Sequence, residues 1–277
     1  MSLRRVLRQA VPRSLRLWAR HPVQSARWLG HAVAARAGRA ATLRMRDDWE
    51  LRCHPAAVQA FALERDQPDL RQELDGFIAT CHDGMVLFDI GAHYGLFGLA
   101  ALRWSHGTAR VVAVDPSAPA LAVFAGNMKL AGAGVRVSRF LAALADAEGE
   151  IALLTGGAGG WHMMVKPASL RNDTVMVPVF TLDGLAARTG AIPTHLKIDV
   201  EGEEDAVLCG ARGVLTAQHP VVFLELHGGM LRKSGRSPLA VLDRLRSYGY
   251  RSFTIGVHEV TPAAASALDV ARIICRK

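Results

Sequence analysis

The first 46 residues contain no aspartate, no glutamate and no lysine, yet they hold eleven arginines. That stretch accounts for the formal charge of +8, because the residues from Asp47 onward carry a net of −3. A slightly acidic body argues against a nucleic-acid binder, whose basic residues gather on the folded surface. Half of the 277 residues are hydrophobic, but no apolar run approaches the roughly eighteen residues that span a bilayer. Cysteine is scarce. Cys53, Cys81, Cys209 and Cys275 form no C-x-x-C pair and no zinc spacing. They read as reduced thiols. No continuous apolar segment follows the tail's arginines, so neither a secretory nor a twin-arginine signal is expected. A cytoplasmic protein is the resulting expectation, with one large domain and an appendage.

The tail has a pattern of its own. Leu3, Val6, Leu7, Ala10, Val11, Ser14, Leu15 and Trp18 share one helical face, with most of the arginines off it and Pro12 interrupting it. Residues 1–46 are expected to form a basic amphipathic helical extension. Such a helix lies peripherally on an anionic membrane or packs on its own protein. Its acid-poor, arginine-rich composition also suits an organelle transit peptide.

The body is organised around Met85 to Gly98. Five of the six residues from Met85 to Ile90 are apolar, and Asp89 is the exception. This predicts a buried parallel strand, then a tight turn through Gly91-Ala92-His93-Tyr94-Gly95 into a helix. The glycines would admit a ligand close to bare backbone, and the helix would aim its first amides at it. The turn lacks the second glycine of G-x-G-x-x-G, which argues against a dinucleotide pyrophosphate. S-adenosylmethionine fits better, since Asp89 can face its cationic end. A second apolar run, Ala109 to Val114, ends in Asp115, 26 residues after Asp89. An acid there can accept both ribose hydroxyls of an adenosine. The expected cofactor-binding set is therefore Asp89, Gly91, Ala92, His93, Tyr94, Gly95 and Asp115.

Asp47 to Asp83 reads as mainly helical, with Glu73 expected as a solvated helix residue. Beyond Met85, strand and helix patterns alternate. Helices are expected over Ala118–Ala131, Glu203–Leu215 and Ser237–Tyr248. Strands are expected over Val135–Leu141, His195–Val200, Pro220–His227, Arg251–Ile255 and Arg272–Cys275. Glu150–Leu154 and Thr174–Phe180 read as a strand pair around a glycine-rich segment, Gly156 to Trp161. The alternation predicts an α/β fold, a doubly wound, mostly parallel Rossmann-like sheet. Ligands then sit at the carboxyl ends of the strands, where Asp89, Asp115, Asp199 and His227 fall.

Four segments carry a resemblance. Phe88-Asp89-Ile90-Gly91-Ala92-His93-Tyr94-Gly95-Leu96-Phe97, Thr181-Leu182-Asp183, Lys197-Ile198-Asp199-Val200-Glu201-Gly202 and Leu224-Glu225-Leu226-His227 resemble those of FkbM-type methyltransferases. The similarity runs over roughly Asp47 to Ile255, so residues 47–277 are expected to be a methyltransferase domain. It implies S-adenosylmethionine as donor and a hydroxyl as acceptor, on a sugar, glycan or secondary metabolite. Two positions depart from the family, which commonly has asparagine at His93 and glutamate at Asp115.

Methyl transfer from a sulfonium releases a neutral thioether, so it needs alignment and a proton acceptor but no acid. Asp199, Glu201 and His227 are the catalytic candidates, and His227 has the unperturbed pKa best suited to a base. With Glu225 they could also hold a divalent cation, but no metal is assigned. Two alternatives are a nicotinamide-dependent oxidoreductase and a non-catalytic adaptor keeping the fold. The missing glycine opposes the first, and the intact loop and acids oppose the second.

Overall fold

The computed structural model describes residues 40–155, 162–164 and 174–277. The chain divides into two compact units, one ending at Gln59 and the other running from Ala60 to Lys277. In the first, β1 (Ala41–Arg46) and β2 (Trp49–Cys53) form an antiparallel hairpin. Buried Trp49, Leu51 and Cys53 alternate with exposed Glu50 and Arg52, which is strand period. Two expectations change here. Ala41–Arg46, placed in a helical extension, is a strand, and so is Trp49–Cys53, within the segment expected to be mainly helical from Asp47. The helical face from Leu3 to Trp18 and the segment from Gly156 to Trp161 lie outside the described residues.

Helices α1 (Val58–Asp66) and α2 (Pro68–Ile78) precede β3 (Val86–Ile90), α3 (Leu96–Trp104), β4 (Arg110–Asp115), α4 (Ala118–Leu130) and β5 (Val137–Leu141). A side sheet follows, built from β6 (Ala143–Leu144), β7 (Gly149–Thr155), β8 (His162–Met164) and β9 (Thr174–Phe180). Then come α5 (Leu182–Thr189), β10 (His195–Ile198), α6 (Glu204–Cys209), α7 (Arg212–Gln218) and β11 (Val221–Leu226). The chain closes with α8 (Gly228–Lys233), α9 (Pro238–Ser247), β12 (Ser252–Ile255), β13 (His258–Glu259), α10 (Pro262–Ser266) and β14 (Ala271–Arg276).

The main sheet runs β13-β12-β14-β11-β10-β3-β4-β5. Neighbours from β11 to β5 are parallel. Of these, β3, β4, β10 and β11 are buried nearly throughout, as strands covered on both faces must be. The α/β, mostly parallel doubly wound sheet is the expected one. Its edge differs from the dinucleotide fold, which places a sixth strand directly beside the fifth. Here β14 wedges in antiparallel between β11 and β12.

Helix Glu203–Leu215 is broken into α6 and α7. At the break, a Cβ on Gly210 would strike the carbonyl of Ala145. Thr181 caps α5 by accepting from the Gly184 amide, and Asp183 accepts from the amides of Gly213 and Val214 at 2.7 and 2.8 Å. The Thr181-Leu182-Asp183 segment thus joins two helices. All four cysteines are free. Among the described residues no helix is long and apolar enough to cross a membrane.

Candidate active site

Parallel strands deliver their carboxyl ends to one edge of the sheet, so the site is assembled there. Gly91 turns the chain off β3 at φ +80°, and a Cβ on it would collide with the carbonyl oxygen of Asp199. The glycine is required by that contact. It also sets the backbone of Asp199 directly against the loop that leaves β3. Gly95, at φ +85°, lacks a Cβ because the Phe124 ring and Met128 occupy that space.

Four amides of this loop are committed within the protein. Gly91 and Ala92 both donate to the carbonyl of Val114, His93 donates to Oδ2 of Asp115 at 2.8 Å, and Gly95 donates to the carbonyl of Ala92. These four amides are used inside the protein and offer no cradle for a pyrophosphate. His93 has φ +45°, a conformation in which histidine and asparagine are both enriched. That shared tolerance accounts for histidine at a position where the family commonly has asparagine. The ring stacks on Tyr94 at a centroid distance of 3.6 Å, and burial lowers its pKa to about 4, so it is neutral. Asn127, buried on α4, donates to the carbonyl of Tyr94 at 2.7 Å and holds the loop from behind.

Asp89 is buried and one of its carboxyl oxygens has no partner. Burial raises its pKa to about 7 against the opposing effect of Lys197. Asp115 accepts from the amides of His93 and Ser117 at 2.8 and 2.7 Å.

At the ends of β10 and β11 the structure brings together the three catalytic candidates. His227 Nε2 lies 3.4 Å from Glu201 Oε2, 3.9 Å from Asp199 Oδ1 and 3.7 Å from Glu225 Oε1. Its Nδ1 lies 2.7 Å from Oε1 of Glu204. The His227 side chain is only 7% exposed, while those of Asp199 and Glu201 are about a third exposed and open to an acceptor. Glu201 sits at φ +52°, an uncommon backbone for a side chain other than glycine.

This setting changes the acid–base roles. Burial works against a charged His227, but the hydrogen bond to Glu204 and the carboxylates of Asp199, Glu201 and Glu204 outweigh it and raise the imidazole to about 9. Burial raises Asp199 to about 7, with Lys197 and His227 opposing. Glu201 is also raised, chiefly by burial. His227 has the unperturbed pKa best suited to a base; in place, Asp199 has the value closest to neutral pH among the three candidates. Single ligand atoms of Asp199, Glu201 and His227 lie within 4.8 Å of one another, a span that a hard cation could bridge. A proton on His227 competes for that position, and no metal is assigned.

Behind the site, Lys197 on β10 is 3% exposed. Its ammonium lies 2.8 Å from Glu73 of α2 and 3.6 Å from Glu225. Arg272 on β14 contacts Glu225 at 2.6 Å and Glu73 at 3.6 Å. Glu73, expected on a solvated face, is therefore a buried partner of two cations. Sequence reasoning missed this network, although a lysine inside the apolar run His195-Leu196-Lys197-Ile198 was a readable signal.

Comparison with known proteins adds the family. The family described as Methyltransferase FkbM domain matches residues 89–252, more than half of the chain. Among solved structures, the FkbM methyltransferase of Methylobacillus flagellatus KT is 15% identical with a TM-score of 0.48, over 94% of this chain and 60% of that one. The chain thus spans about three-fifths of the length of that relative. A precorrin-6y C5,15-methyltransferase of Geobacter metallireducens GS-15 is 13% identical, TM-score 0.42, over 76% of this chain and 89% of that one. TYW2 of M. jannaschii, solved with AdoMet, is 11% identical, TM-score 0.44, over 85% and 84%. No curated protein matches. The family match covers the glycine loop, both acidic strand ends and the His227 cluster, and the chain belongs to the FkbM family of S-adenosylmethionine-dependent methyltransferases.

Proposed function

We propose that this protein methylates a hydroxyl oxygen of a sugar, glycan or secondary metabolite. The observation that carries the reading is Asp199: a partly exposed carboxyl raised to about 7, packed against the loop that leaves β3. The residues present fit the donor. The unpartnered oxygen of Asp89 suits an ammonium, and Asp115 suits a ribose diol. S-adenosylmethionine supplies a methyl group on sulfur, which departs as a neutral thioether. The chain's task is then to hold the acceptor oxygen in line, exclude water and take the hydroxyl proton. Asp199 takes that proton, Glu201 orients the hydroxyl, and protonated His227 keeps Asp199 ionised. The acidic body and the hydroxyl-directed cluster support a small-molecule or glycan acceptor over nucleic acid.

Incubation of the protein with donor and a panel of glycans, read by mass spectrometry, is expected to show a methyl group added to a hydroxyl. The turnover should follow a bell over pH, rising as Asp199 ionises near 7 and falling as His227 deprotonates near 9. A chelator should leave it unchanged. A single rise that levels off near pH 6.5 would instead make an unperturbed histidine the base.

A further inference from the structure

Glu204 was not a candidate from the sequence, where it stands in the first turn of a helix. In the structure it is fully buried. Its Oε1 lies 2.7 Å from Nδ1 of His227, accepts from the Gly202 amide at 2.9 Å and lies 3.3 Å from the amide of His227. One carboxyl oxygen therefore ties the turn carrying Glu201 to the strand end carrying His227. Among the described residues, the other charged groups paired with the imidazole are carboxyls: Asp199 and Glu201 after β10, and Glu225 on β11.

Resting on the reading above, we propose that Glu204 is a positioning residue for methyl transfer. It binds the Nδ1 proton of His227, fixes the ring's orientation and turns Nε2 toward Glu201, Asp199 and the acceptor. The logic is that of a carboxylate orienting a histidine in a hydrolytic triad. A hydrogen bond to a charged donor is stronger than one between neutral groups, so Glu204 also favours the imidazolium. In the transfer, the acceptor O–H bond breaks and an O–CH3 bond forms. The methyl–sulfur bond breaks with its electron pair on sulfur, and the proton goes to Asp199. His227 stays protonated throughout, with Glu204 on Nδ1 and the carboxyls of Glu201 and Asp199 at 3.4 and 3.9 Å from Nε2.

Glu204→Ala would leave the Gly202 amide without its acceptor and can fail through folding alone. Glu204→Gln keeps an oxygen of the same reach and removes the charge, so it is the informative variant. Nitrogen-15 NMR of the imidazole in the full chain reads the titration of His227 without donor or acceptor. The expected result is a fall of more than one unit in the His227 midpoint of Glu204→Gln. The alkaline limb of the rate profile should move down with it, while melting temperature and donor affinity stay near wild type. A folded Glu204→Gln whose His227 midpoint is unchanged overturns the proposal, whatever its activity. If the midpoint falls but the wild type methylates no hydroxyl, Glu204 is confirmed as the partner of His227 and the functional reading above is what fails.

Discussion

Replacing Asp199 by asparagine is expected to lower turnover by about 10²–10⁴-fold, the usual contribution of a positioned general base. The change is nearly isosteric and should leave the fold intact. Donor affinity should hardly change, because the donor contacts proposed above fall on Asp89 and Asp115, on strands β3 and β4. His227→Gln should lower turnover less, since it removes the charge that keeps Asp199 ionised and leaves the proton acceptor in place. Steady-state kinetics with a methylated acceptor, together with calorimetric donor binding, separates these outcomes. Equal losses of turnover and donor affinity in Asp199→Asn would move Asp199 into the donor pocket and leave the reaction without an identified base.

Lys197→Met should give the largest loss of stability. Lys197 is buried between Glu73 and Glu225, 5.0 Å from the Phe97 ring, and in register with Asp89 on the adjacent strand. Burial alone would lower its pKa, but the carboxylates of Glu73, Asp199 and Glu225 reverse that and hold the ammonium charged. Removing one partner from such a group strands the others and costs about 3–5 kcal/mol. The pH dependence gives a sign that packing alone would not. Asp89 and Glu64 are raised by burial to about 7 and are opposed by Lys197. Losing the lysine raises them further, so the folded state binds more protons than the unfolded chain above pH 4. Stability then falls as pH rises through that window. Urea unfolding should show a larger deficit at pH 8 than at pH 5, and an equal deficit at both would reduce Lys197 to a packing residue.

Much of this architecture was legible because buried parallel strands write themselves as short apolar runs. Met85 to Ile90, Ala109 to Val114 and Val221 to Leu224 announced strands, and the acids closing them announced the site edge. The hairpin Ala41–Cys53 was lost among arginines. The alternation of Trp49, Leu51 and Cys53 with charged residues is strand period, and it stood beside a longer helical pattern in the tail. Sheet order was not legible, since nothing local in β14 says that it inserts between β11 and β12. At the site, Asp199, Glu201 and His227 could be named from strand ends. Their roles could not, because His227 draws its pKa from Glu204 and Asp199, which are 23 and 28 positions away. The pairing of Glu73 with Lys197 spans 124 positions, and a glutamate on a helix gives no local sign of a buried cation.

The account stands on donor binding at the edge where Asp89 and Asp115 end their strands. Isothermal titration of S-adenosylmethionine into the full chain tests it directly, with melting temperature measured on the same samples. The account predicts a saturable heat and a raised melting temperature, because a ligand that selects the folded state stabilises it. It also predicts that Asp115→Ala weakens both by removing the acceptor offered to the ribose. A folded protein that gives no heat and no thermal shift at millimolar donor would contradict it.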